Sequence, residues 1–159
     1  GSFLVTDALT LDASLGYTNA GYDSFANIDA NRNGVYEPAI DGPPAKDLKF
    51  ERVPKWQYAV SASYEVPVTD TSSLRFRTSY TWVDDQFIDT LNSPSLALDA
   101  YGLWDASVSY SLDDSYTLSL FGRNLNNAKY YDFGFDGGTH RAVWGGTPRT
   151  YGVELSAKF

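Results

Sequence analysis

Cysteine and methionine are both absent from this 159-residue chain, and histidine occurs once. Without thiols there is no disulfide framework and no thiolate metal site, while the redox compartment stays undecided. Basic residues are also scarce: 12 Lys and Arg against 20 Asp and Glu leave a formal charge of −8. Scattered singly, they form no cationic face that could release counterions from a polyanion, so nucleic acid is set aside as a partner. No run of about 18 apolar residues is present, which excludes a transmembrane helix and leaves a β-barrel open. The chain opens on Gly1 without a basic stretch leading into an apolar one. An exported protein would therefore be represented here by a mature or truncated piece.

What is abundant is aromatic: 16% of the residues, 12 of them Tyr. Such rings collect where one end is dry and the other wet, at ligand sites and at membrane interfaces. The hydrophobic content of 43% is ordinary for a globular protein, and the length allows one domain.

Period two dominates the pattern. Leu9, Leu11, Ala13, Leu15 and Tyr17 alternate with Thr10, Asp12, Ser14 and Gly16. The same alternation places Trp56, Tyr58, Val60, Ala62, Tyr64 and Val66 on one face, then Leu74, Phe76, Thr78, Tyr80 and Trp82. It continues with Trp104, Ala106, Val108, Tyr110 and Leu112, with Tyr116, Leu118 and Leu120, and with Tyr151, Val153, Leu155, Ala157 and Phe159. Most runs reach about nine to eleven residues, the length of a tilted strand crossing a bilayer, and carry aromatic residues near their ends. This predicts an all-β fold, an antiparallel up-and-down meander of about six long transmembrane-type strands.

Connections alternate in length. Thr69-Asp70-Thr71-Ser72-Ser73 and Asp113-Asp114-Ser115 read as tight polar turns, whereas residues 18–54, 84–100 and 126–147 read as long excursions. In a bacterial barrel the short turns face the periplasm and the long loops face outward. Residues 1–5 and Thr6-Asp7 read as the stub of a preceding strand and its turn. Pro54, Pro94 and Pro148 fall at or beyond strand ends, and Pro67 near the end of a strand. A soluble antiparallel sandwich shares the alternation, but strand length, aromatic ends and turn asymmetry favour the barrel.

The words GRNLNNAKYYDF at 122–133 and GTPRTYGVELSAKF at 146–159 resemble the C-terminal signature of TonB-dependent receptors. VPKWQYAVSASYEV and LDAYGLWDASVSYSL resemble earlier strands of the same family, so the resemblance covers most of residues 7–159. It implies the C-terminal segment of a larger outer-membrane β-barrel, since the family closes about 22 strands around a plug. On this expectation residues 1–159 are a partial barrel, with the plug domain and the N-terminal strands outside the sequence. Tyr151, Val153, Leu155, Ala157 and Phe159 would then form the signal read by the barrel-assembly machinery. Lipid of the outer membrane of a Gram-negative-type bacterium would be the other partner, and the TonB complex would act only through the plug.

Three constellations bear on chemistry. Asp29, Asn31 and Asn33, followed by Gly34, match the start of a calcium loop, in which hard oxygens wrap the ion and glycine permits the bend. The ending departs from the pattern: position twelve is Ile40, and the acids on offer are Glu37 and Asp41. The alternative is a plain Asn/Gly turn. His140 lies in the last long loop with Tyr130, Tyr131, Phe133, Phe135 and Trp144, a composition suited to gripping a ligand by stacking. The charges Asp12, Glu65, Arg75, Arg77, Asp105, Arg123, Glu154 and Lys158 would line a barrel interior.

No nucleophile elbow, P-loop, zinc-protease or dinucleotide motif occurs, so no enzyme is expected. The resemblance implies uptake of a scarce ligand, such as an iron–siderophore complex or another large nutrient. The competing expectation is a small self-contained outer-membrane or soluble β-domain that binds a ligand such as carbohydrate through its aromatic loops.

Overall fold

The computed structural model describes residues 1–24, 26–29, 31–113 and 115–158. Its strands are β1 (Ser2–Thr6), β2 (Leu9–Tyr17), β3 (Trp56–Thr69), β4 (Ser72–Val83), β5 (Gln86–Phe87), β6 (Ala97–Leu98), β7 (Tyr101–Leu112), β8 (Tyr116–Arg123), β9 (Tyr131–Asp136), β10 (Arg141–Gly145) and β11 (Thr150–Ala157), with one short helix, α1 (Pro38–Asp41). Seven strands form one sheet in the order β1-β2-β3-β4-β7-β8-β11, each antiparallel to its neighbour. The gaps in that order arise because β5/β6 and β9/β10 are separate two-stranded ribbons inside the second and third long connections.

The six long strands of the expectation are present, and the N-terminal stub is the seventh strand of the sheet. Three details differ. The first short turn is Asp70-Thr71 alone, because Ser72 and Ser73 already pair in β4, where the Ser72 and Thr69 hydroxyls lie 2.7 Å apart. β7 starts at Tyr101, ahead of the run read from Trp104. Pro67 lies inside β3, beside a register shift between Pro67 and Thr69 that accommodates its missing N–H. In the second short turn, Asp114 lies outside the described residues.

Register decides which side chains share a face, since a slip of one residue would exchange the two. One row across the sheet runs Tyr64, Phe76, Val108, Leu120, Val153 and the next runs Glu65, Arg75, Ser109, Ser119, Glu154. The apolar row is solvent-exposed, with Tyr64, Phe76, Leu120 and Val153 all open. Buried hydrophobic residues among those described are Ala45, Leu48, Ile88, Leu96 and Leu98, and none belongs to the seven-stranded sheet. An apolar sheet face of this extent is an aggregation liability in water and the stable face in hydrocarbon. No helix among the described residues is long and apolar enough to cross a membrane, which says nothing of strands.

The opposite face is closed by short lateral bonds. The Ser109 and Ser119 hydroxyls lie 2.8 Å apart, those of Ser111 and Thr117 lie 3.2 Å apart, and Ser61 donates to Asp12 at 3.1 Å. Arg75 donates from Nε and Nη2 to Glu65 Oε2 at 3.0 and 2.7 Å, directly across the β3–β4 pair. Among the described residues β1 pairs only with β2, and β11 only with β8, so both outer edges of the sheet are open.

Candidate ligand site in the connecting loops

The long connections gather at one end of the sheet. Ile88, Leu96 and Leu98 of the second connection form a small buried core, against which Tyr101, Tyr130 and Val143 pack. The β9–β10 ribbon rests on this core through Gly134, where an added Cβ would stand 2.9 Å from Ile88 Cδ1 and 3.0 Å from Leu96 Cδ2. Gly134 is opposite Val143, so both belong to the ribbon's inner side. Phe133 opposite Trp144, and Phe135 opposite Ala142, belong to the other side.

That outer side is aromatic and open: Phe133 is 50% and Trp144 52% exposed, and Tyr131 and Phe135 are exposed as well. The rings touch, with centroids 5.2 Å apart for Phe133–Trp144 and 6.5 Å for Phe135–Trp144. His140, in the ribbon's turn, stands edge-on to Phe135 at 5.6 Å and shares a hydrogen bond of 3.1 Å with the Thr139 hydroxyl. Tyr131, Phe133, His140 and Trp144 are thus brought together with Phe135. Tyr130 is not. Its ring stacks flat on Tyr101 at 4.6 Å, and Gly146 leaves the space that the ring fills, since an added Cβ would lie 2.1 Å from Tyr130 Cζ. The adjacent tyrosines therefore serve opposite sides, Tyr130 the core and Tyr131 the surface.

The last residue of β9 is a perturbed acid. Asp136 accepts from the Ser95 hydroxyl and from the Gly138 N–H, and these bonds hold its carboxyl below the ordinary value of 3.8. A carboxyl favoured in its charged form stabilises above its unfolded pKa, and the contribution is lost as pH falls through the lowered folded value. We expect Trp144 emission, isolated by replacing the other three tryptophans with phenylalanine, to change below about pH 3.8 and not in Asp136→Asn. A transition of the same size in that variant would remove Asp136 as its cause.

The calcium-like segment folds as a closed polar turn. Asp29 accepts from the Asn33 and Gly34 N–H groups at 3.2 and 2.7 Å, and Glu37 Oε2 accepts from the amides of Asn33 and Asn31 at 2.9 and 3.5 Å. Asp41, the last residue of α1, joins this turn by accepting the Glu37 N–H at 2.7 Å. Among the described residues no three His, Asp or Glu side chains are grouped as metal ligands.

Tyr151, Val153 and Leu155 lie on the apolar face of β11, each about 70% exposed at the sheet's edge, and Ala157 follows in the same alternation. Phe159, the last member of the expected assembly signal, lies outside the described residues. The Arg-Asn-Leu word has a structural role that its spelling did not reveal. Asn124, 4% exposed, uses its whole amide: Nδ2 donates to Ala128 O at 2.9 Å and Thr147 O at 3.0 Å, and Oδ1 accepts from Ala128 N at 2.8 Å. Asn126 binds the edge of β7 with the same pair of atoms, through Trp104 N at 3.1 Å and Gly102 O at 2.8 Å. Asn124 thus clasps the two ends of the third long connection, and Asn126 ties its start to β7.

A sheet apolar and exposed on one face, polar on the other, with short turns at one end and packed aromatic loops at the other, defines a wall of an outer-membrane type β-barrel. The family model for the TonB dependent receptor-like β-barrel matches residues 3–125, and the chain belongs to that family. The C-terminal words beyond Leu125 lie outside the matched range. The ferric yersiniabactin uptake receptor of Yersinia pestis has the same fold over 99% of this chain, at a TM-score of 0.78 and 17% identity. The siderophore receptor PiuA of Acinetobacter baumannii follows over 99% at 0.74 and 17%, and the ferric preacinetobactin receptor of the same organism over 98% at 0.66 and 19%. The chain spans only 20–22% of the length of these receptors. No curated protein sequence matches it.

Proposed function

We propose that this chain is the C-terminal wall of a TonB-dependent outer-membrane transporter that takes up an iron–siderophore complex or a ligand of similar size. The observation that carries the reading is the two-faced sheet, whose largely apolar side nothing among the described residues covers and whose fold is that of three such receptors. Two open edges need further strands, because hydrocarbon cannot satisfy free backbone groups, so the sheet is one arc of a larger barrel. The apolar face would meet outer-membrane lipid, the terminal strand β11 the assembly machinery, and the long loops the outside. Energy would come from TonB through a plug held within the complete barrel. The same open edges argue against a small self-contained barrel, and the uncovered apolar face argues against a soluble domain.

In this reading the outer side of the β9–β10 ribbon is the part of the chain that touches ligand, by stacking on Phe133, Phe135 and Trp144. In the complete protein, Trp144→Ala is expected to weaken capture of a ferric siderophore by roughly tenfold, on the order of one well-placed aromatic contact. Binding to whole cells and growth on that chelate as sole iron source measure it. Wild-type binding in both Trp144→Ala and Phe133→Ala would remove the ribbon from the site. A protein that fractionates with the cytosol, or that is monomeric and cooperative without detergent, would remove the transporter.

A further inference from the structure

The three long connections are joined in a ring, each bonded to the other two. The first meets the second where Lys49 lies along Asn92: Lys49 N donates to Asn92 Oδ1 at 2.6 Å, and Asn92 Nδ2 donates back to Lys49 O at 2.9 Å. Here the asparagine amide replaces a peptide group of a missing strand. Lys49 Nζ adds an ion pair with Asp85 at 3.4 Å and lies 5.7 Å over the Phe87 ring. The second meets the third through the Ile88–Leu96 core under Gly134, through Arg141 Nη1 donating to Ser95 O at 2.6 Å, and through the Ser95 hydroxyl on Asp136.

Arg52 closes the ring. Its backbone N–H donates to Phe87 O of the second connection at 2.9 Å, and its guanidinium donates to Asp132 O of the third at 2.5 Å. It does so at a φ of 56°, left-handed backbone that a side-chain-bearing residue rarely adopts. Asn92 holds a similar φ of 53° at the opposite corner. Asparagine is at home in that conformation, whereas arginine is not and glycine would take it without strain, so at position 52 the side chain, and not local backbone preference, accounts for the residue.

We infer that segments 49–52, 85–98 and 130–146 form a single interlocked cap, with Arg52 as its keystone, so that no one of the three loops opens alone. In a cap that opens as one unit, cutting the Asn92 corner also speeds opening of the ribbon, which Asn92 never touches. This separates the cap from three loops that merely rest on one another.

The test is hydrogen–deuterium exchange of the complete protein in detergent micelles without ligand, so it stands whether or not the transport reading holds. Arg52→Gly removes the guanidinium bond while keeping the N–H to Phe87 O and relieving the strained φ. Asn92→Gly removes the link to Lys49, with no direct contact to the ribbon. Each variant is expected to speed exchange roughly tenfold across both 86–98 and 131–145, the effect of one charge-assisted or bidentate contact, with strand 72–83 unchanged. Acceleration confined to the loop bearing the substitution, or none in the ribbon for either variant, overturns the cap.

Discussion

In the proposed transporter, arginine in place of Leu120 is expected to destabilise the assembled barrel by about 2–4 kcal/mol, the penalty for a cation facing lipid near the bilayer midplane. Leu120 lies in β8 with Val108 on one side and Val153 on the other, and it is 51% exposed on the face that nothing among the described residues covers. In β8 it lies midway between Leu118, opposite Tyr110, and Gly122, opposite Tyr151. At 1.4 kcal/mol per tenfold, the folding equilibrium would shift by roughly 30- to 700-fold. The neighbouring Ser119 provides the contrast. It belongs to the other face, opposite Glu154, where an added arginine finds both water and a counter-ion. Unfolding of the complete protein from phospholipid vesicles by guanidinium measures both variants. Equal midpoints for Leu120→Arg and Ser119→Arg would mean that the assignment of the two faces is wrong.

Asn124→Ala is the second large effect. Truncation leaves Ala128 N, Ala128 O and Thr147 O without their partner in a site that is almost fully enclosed, and each such group costs about 1–3 kcal/mol unless water reaches it. Alanine must also hold a φ of 49°, where asparagine is tolerated and alanine is penalised by roughly another 1–2 kcal/mol. Asn124→Gly separates the two contributions, since glycine accepts that φ and still lacks the amide. The order of stability should be wild type, then glycine, then alanine. The expected readouts are a lower thermal midpoint and faster proteolytic cleavage between residues 125 and 149. A glycine variant as resistant as wild type would show that the clasp contributes nothing.

The main sheet was legible because its rule is local and repeats. Once Leu9 and Trp56 are placed on one face, every second residue follows, and the observed register agrees pair by pair from Tyr17 opposite Trp56 to Leu118 opposite Leu155. The β9–β10 ribbon was readable in principle: Tyr131, Phe133 and Phe135 alternate into Asp136-Gly137-Gly138, a hairpin turn signal. Six residues of strand within a long excursion gave too short a run to stand out from a loop. The aromatic site was legible as composition, and its division between Tyr130 and Tyr131 was not, because that depends on the strand beginning after Tyr130. Arg52 left no trace in the sequence at all. Its role comes from two partners at positions 87 and 132, and a single chain read without a fold gives no way to bring those together.

The polar face has one more consequence. Four of its hydroxyls are paired sideways, Ser109 with Ser119 and Ser111 with Thr117, and its Glu65 is claimed by Arg75 on the adjacent strand. Groups satisfied within the wall have little left to offer a body passing over them. Along these pairs the wall is smooth in the mechanical sense: friction against a moving neighbour would concentrate away from them, at long side chains that project from the face, Arg77 and Arg123 among them.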